Sequence, residues 1–308
     1  MSAPTSTTAP AAADAAADAR RARVVPTILT VARLTLQEAS RRKVLRALVV
    51  LTVVLVGLSA WGFSRLTAED PTMAELTSGQ ARLVASQLLN LVMFGLSLIA
   101  ALGTAFLAGP TLAGEVESGQ ALALLARPVR RWAVLVGKWL GLVAFGSGYI
   151  AVAGLAQLLV VQLTVGYWPP DPVGALALLA AQTTVLLTLG LLLSTVISPM
   201  ASGIVAVGLF GATWVAGVVG GLGAAFGNSG VAAVGTWSRM LLPTDGLWRG
   251  AMHGFSDPSA LASSFGAEMA GFPFLGFEGL SLAYLGWVAL WVAVVLGLAS
   301  MAFGRRDL

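Results

Sequence analysis

Residues 132–165 read WAVLVGKWLGLVAFGSGYIAVAGLAQLLVVQLTV, and no charged residue occurs from Trp139 to Val165. An apolar run of about 20 residues is long enough to cross the hydrocarbon core as a helix. A charge at the bilayer centre costs about 2.5–3.5 kcal/mol even on insertion-based scales, so the missing charges are themselves a signal. Working outward from this run, five more of the same kind appear. They cover roughly 44–63 and 88–112 before it, and 173–197, 203–226 and 280–303 after it. The fold expected is all-α, a polytopic membrane protein with six transmembrane helices.

Composition agrees. Of 308 residues, 57% are hydrophobic and only 10% charged, and mean hydropathy is +0.86. A soluble domain carries about 25% charged residues. There is no cysteine, which excludes disulfides and thiolate metal sites. The single histidine, His253, excludes a multi-histidine centre within one chain, so no metal site and no cofactor of its own is expected. Nor do the spans pair the polar residues that an intramembrane enzyme needs. They also lack the buried charges of a proton-coupled carrier.

The net charge of +4 is an orientation signal rather than a nucleic-acid footprint. With both termini placed inside, only Arg65, Arg82, Arg239 and Arg249 of the 18 basic residues fall outside. Cytoplasmic loops carry such an excess. The expectation is a bacterial plasma (inner) membrane protein, both termini cytoplasmic, with membrane lipid and no nucleic acid as partner. Trp61, Tyr167 and Trp168 at outer ends and Trp132 and Trp139 at an inner end suit interfacial anchoring.

The rest divides simply. Residues 1–23, rich in Ala, Ser, Thr and Pro, lack the apolar core of a secretory signal and read as a disordered cytoplasmic tail. Residues 24–43 read as an interfacial amphipathic helix with Ile28, Leu29, Ala32, Leu36 and Ala39 on one side and Thr30, Arg33, Gln37 and Arg41 on the other. Pro26 suits its first turn. Such a helix lies in the headgroup plane, as an anchor or as a lever moving with the first span. Residues 44–308 form the six-helix transmembrane domain. Its outer segment, 227–279, is long enough to predict short helices capping the membrane surface, as a lid or as packing.

The stretch that carries function is 114–141, GEVESGQALALLARPVRRWAVLVGKWLG. Glu115 and Glu117 stand just below the membrane, and Gly119 lets the chain turn. Residues Gln120 to Ala126 suit a short helix presenting Leu122, Leu124 and Leu125. An exposed apolar cluster of this kind marks a contact site. Pro128 ends it, and Arg127, Arg130 and Arg131 open the next span.

In this order, Glu115, Glu117, Gly119, Leu124-Leu125, Pro128-Val129, Arg130-Arg131 and Gly137-Lys138 resemble the permease subunits of ABC exporters of the ABC-2 type. The likeness is to the six-helix family that includes the nitrous-oxide-reductase maturation permease. Ala126-Arg127 and Arg130 depart from the residues common there. The outer stretch from Leu242 to Gly250 is similar to an outer loop of such permeases.

The resemblance implies that Gln120 to Ala126 is a coupling helix docking in a separate ATPase subunit, present in two copies. ATP and Mg would be bound there. The chain lacks a P-loop, since Gly137-Lys138 is followed by Trp139 and position 132 is Trp where glycine is required. A second permease chain, in a homodimer, would enclose the path.

Gly217 and Gly221 form a small-xxx-small pair suited to close helix approach, in a dimer or within the chain. Gly137 and Gly141 form another. Asn90, Thr104, Gln157, Gln182 and Thr188 are polar residues inside spans, suited to lining a path or to joining helices. With no charged group in the spans, a hydrophobic or amphipathic cargo fits better than an ion. The function expected is a permease exporting such a cargo. The competing reading is a membrane scaffold or maturation factor, mechanically coupled to an ATPase without small-molecule transport.

Overall fold

The computed structural model describes residues 24–69, 79–117, 130–257, 261, 275 and 279–305. Among them the helices are α1 (Val24–Arg41), α2 (Lys43–Glu69), α3 (Gly79–Glu117), α4 (Arg131–Val165), α5 (Pro172–Ser194), α6 (Pro199–Ala225), α7 (Ser229–Leu241), α8 (Thr244–Phe255) and α9 (Leu282–Arg305). No strand occurs among the described residues. Six helices, α2 to α6 and α9, are long and apolar enough to cross a membrane. The protein is an all-α polytopic membrane protein, and each span lies where an apolar run predicts it.

The largest boundary difference is at α3. It starts well before residue 88 and continues through Pro110 to Glu117. A proline removes one backbone donor. Inside a bundle, neighbouring groups make good the loss. The carbonyl that loses its amide is Phe106 O, and the Thr111 hydroxyl donates to the next one along, Leu107 O.

Helix α5 is the centre of the bundle, touching α3, α4, α6, α8 and α9. It is apolar all round, as a helix buried on every side must be. Its start is fixed by Asp171, whose Oδ1 accepts the Gly174 amide at 2.9 Å, with Pro172 in the first turn. Around it, Leu89, Met93 and Leu96 of α3 pack with Ile150 and Leu158 of α4, Leu179 of α5 and Phe255 of α8.

The two ends of the molecule differ. At the base lie α1, the start of α4 and the end of α9, where Arg131 Nη1 donates to the Gly304 carbonyl at 3.2 Å. The two ends of the described chain are thus on one side. At the opposite end, Gly227 (φ +69°) reverses the chain and α7 runs back along α6. The turn needs a residue free to adopt positive φ. The Asn228 Oδ1 then caps α7 by accepting the Val231 amide at 3.1 Å.

The expected outer helices are α7 and α8, but α8 does not lie on top. It is wedged against α5, α6 and α3, with Leu247, Trp248, Met252 and Phe255 all buried. Tyr167, beyond the end of α4, donates to the Phe255 carbonyl at 2.9 Å. Burial, with Asp257 nearby, pushes its phenol well above the ordinary value.

The last carbonyls of a helix need outside partners, and α7 takes them from rings of α9. Tyr284 Oη donates to Arg239 O at 3.2 Å. Trp287 Nε1 donates to Met240 O at 3.2 Å, and Trp291 Nε1 to Leu241 O at 2.8 Å. Trp291→Phe should leave one carbonyl without its donor. That costs about 0.5–1.5 kcal/mol, and the thermal midpoint of the purified protein should fall accordingly. An unchanged midpoint would mean that water reaches Leu241 O.

Candidate functional site

The segment expected to couple to a partner hangs between α3 and α4. Glu115 and Glu117 form the last turn of α3. Gly119, Gln120, Leu122, Leu124, Leu125, Arg127 and Pro128 lie outside the described residues. Arg130 is the exposed residue before α4, with extended backbone, and Arg131 opens the helix and reaches α9.

The two helices that carry this segment are joined at its base by Lys138. Its side chain is 4% exposed, and Nζ donates to the Thr111 carbonyl of α3 at 2.8 Å. A buried ammonium needs such partners.

On another side, α4 receives α1 backbone to backbone. A Cβ on Gly137 would stand 2.8 Å from Ile28 O, and one on Gly141 2.5 Å from Ala32 O. Ile28, Val31, Ala32 and Thr35 of α1 meet these glycines, and Thr35 and Ala39 are its buried residues. Leu29 and Leu36 of its apolar side are exposed, together with Leu34. Helix α1 is thus seated on the third span, where Gly137 and Gly141 let its backbone come close.

The family model described as ABC-2 family transporter protein matches residues 29–308, nearly the whole chain. The chain belongs to the ABC-2 transporter family. None of the curated proteins matches it. ABC-2 permeases are membrane components of ABC transporters, not catalysts themselves, and they partner an ABC ATPase.

In this ABC-2 permease, the polar residues proposed for a path make contacts within the chain. Asn90 Nδ2 donates to Ser256 Oγ at 2.9 Å, and Gln182 Oε1 accepts from Ser97 Oγ at 2.9 Å. Gln157 donates to Ser59. Thr188 accepts from Trp139 Nε1 at 2.8 Å, while Thr104 donates to the Ala101 carbonyl of its own helix. All five are buried, and four of them join helices.

The glycines of α6 are also taken up inside the permease. Gly217, a dimer candidate, is buried against α8, where an added Cβ would overlap the Asp245 carboxylate. Gly221 is buried too. Their neighbours Gly220 and Gly223 meet the backbone of α7. The small-xxx-small face at Gly217 is thus occupied by α8 of the same chain.

Two features were missed in the sequence. One is the Lys138–Thr111 clamp. The other is a charge cluster at the end opposite the base. Asp245, 3% exposed, receives Arg249 Nε at 3.0 Å and stands 3.2 Å from Arg239 Nε. The Arg239 contact is an ion pair off the line of a hydrogen bond. Arg249 Nη2 also donates to Gly217 O at 2.8 Å. Burial, then the nearby Arg249 guanidinium, pull the Arg239 guanidinium below its ordinary value, with Asp245 opposing. The spacing of Asp245 and Arg249, one turn apart on a short helix, was the available signal.

His253 is half-buried beside Gly279. Among the described residues no group of three His, Cys, Asp or Glu could hold a metal.

Proposed function

We propose that the chain is one half of a homodimeric exporter of a hydrophobic or amphipathic substrate. It would work in a bacterial inner membrane with both termini cytoplasmic. Two copies of a separate ATPase subunit hold ATP and Mg, and residues 120–126 dock in each.

The observation that supports coupling is the clamped base. Lys138 ties the helix entering the 118–129 segment to the helix leaving it. Gly137 and Gly141 tie α1 to the same helix. A push on Leu122, Leu124 and Leu125 therefore moves α1, α3 and α4 together instead of bending a loop. Glu115, Glu117, Arg127, Arg130 and Arg131 flank the leucines with charges suited to a polar rim. The apolar character of the spans, without Asp or Glu inside them, favours a greasy cargo.

The test is purification of the permease in mild detergent from native membranes, with the bound ATPase counted. About one ATPase copy per chain is expected. Leu124→Asp places a charge where a groove must be filled. It should reduce ATPase capture at least tenfold while leaving membrane insertion intact. Unchanged capture would overturn the docking assignment. ATPase activity in liposomes that no cargo stimulates would favour the mechanical reading suggested by the likeness to the maturation permease.

A further inference from the structure

The same face of α4 that receives α1 continues upward as a second, uncovered stripe. Gly137 and Gly141 are filled by α1. Ala144 and Gly148, one and two turns further along, line an open groove of about 790 Å³ between α2 and α4. Its walls include Leu45, Val49, Val53, Phe145 and Val152, with Leu36 of α1 at the lower end. The groove faces outward, since Val49, Val53 and Val152 are exposed.

Its floor is closed to polar ligands. Thr52 donates to Leu48 O at 2.7 Å, so its 2.6 Å contact with Tyr149 Oη is a bond donated by the phenol. Neither hydroxyl is left to donate. Two glycines, Gly57 and Gly148, have no atom within 4 Å of the place a Cβ would occupy. The space is real and the chain does not fill it.

The dimensions and the charge identify an occupant. From Leu45 to Gly57 the wall rises about 18 Å at about 1.5 Å per residue. One leaflet of the hydrocarbon core is about 15 Å thick. At the lower mouth stand Arg41, Lys43 and Arg46, all exposed and without an ion pair among the described residues. Their neighbour Arg42 is instead held by Glu38 at 2.5 Å. Arg46 precedes Val49 and Val53 by three and seven residues, so it heads the lining stripe.

We propose that this groove binds one anionic phospholipid from the leaflet on the side of the chain's N-terminus, its acyl chain along Leu45 to Gly57 and its headgroup on Arg46, Lys43 and Arg41. Basic residues at this level attract anionic headgroups. A second copy of the chain is a poorer occupant. A two-fold axis along the membrane normal sets identical residues at equal height, so the two basic clusters would repel within a Debye length.

The experiment is native mass spectrometry of the full chain in mild detergent, offered phosphatidylglycerol or phosphatidylcholine. The wild type should retain one phosphatidylglycerol per chain in preference to phosphatidylcholine. Lys43→Gln with Arg46→Gln should weaken that retention roughly thirtyfold. Gly57→Leu with Gly148→Leu should abolish it without lowering the thermal midpoint, because leucine fits open space and is the better helix former. Equal retention of the two lipids, or full retention by the leucine variant, would overturn the proposal. So would efficient cross-linking of Val53→Cys to its own copy. The chain has no native cysteine, so such a product would place a second permease in the groove.

Discussion

Asp245→Ala should destabilise the folded permease by about 3–5 kcal/mol, the cost of leaving buried charge without its partner. Among the described residues the carboxylate is the single anion paired with Arg239 and Arg249. It also fills the space above Gly217, so its removal leaves two like charges and a void among α6, α7 and α8. Asn at the same position restores the volume but not the charge, and should recover only part of the loss. The measurement is the thermal midpoint of the purified chain with protease sensitivity of the outer end. The wild type should be resistant, Asp245→Asn intermediate and Asp245→Ala readily cleaved. A wild-type midpoint in Asp245→Ala would mean that solvent or lipid already neutralises the arginines.

The cluster shows which parts of the fold are legible in a sequence. Spans are legible because lipid imposes one local rule, a long run without charge, and each of the six helices obeys it in its own residues. Helix α3 hid its length for a local reason as well. Pro110 reads as a stop, yet inside the bundle the helix continues past it to Glu117.

Partners across the bundle are different. Gly217 and Gly221 have the spacing of a helix-helix face, but spacing does not say which helix. The partner lies among the chain's own outer helices, and only the fold brings Asp245 to Gly217. Lys138 was counted as an orientation charge. That it is buried against Thr111 depends on how α3 and α4 cross, which neither helix encodes alone. The likeness of residues 115–138 to ABC-2 permeases was nevertheless readable, because the residues that carry it are contiguous in the chain. The match of residues 29–308 to the ABC-2 family agrees with it.

The base of the molecule holds the second large effect. Gly141→Leu should detach α1 from the bundle. A Cβ there would stand 2.5 Å from Ala32 O and 2.8 Å from the Thr35 Cβ, so backbone rather than a flexible side-chain tip must give way. Overpacking of a filled interface commonly costs about 1–3 kcal/mol. Here α1 can escape the strain only by leaving. That uncovers Ala39 from its place among Leu135, Leu142, Ala299 and Phe303. Amide hydrogen exchange over residues 24–41 should then quicken at least tenfold, since local opening sets exchange.

Gly148→Leu is the control. It lies seven residues further on the same face of α4, in open space, and should leave exchange of α1 unchanged. If α1 transmits motion from the base, Gly141→Leu should also lower cargo-stimulated ATPase activity while ATPase subunits remain bound. Unaltered exchange in Gly141→Leu would mean that α1 is held by its own apolar face and not by the two glycines.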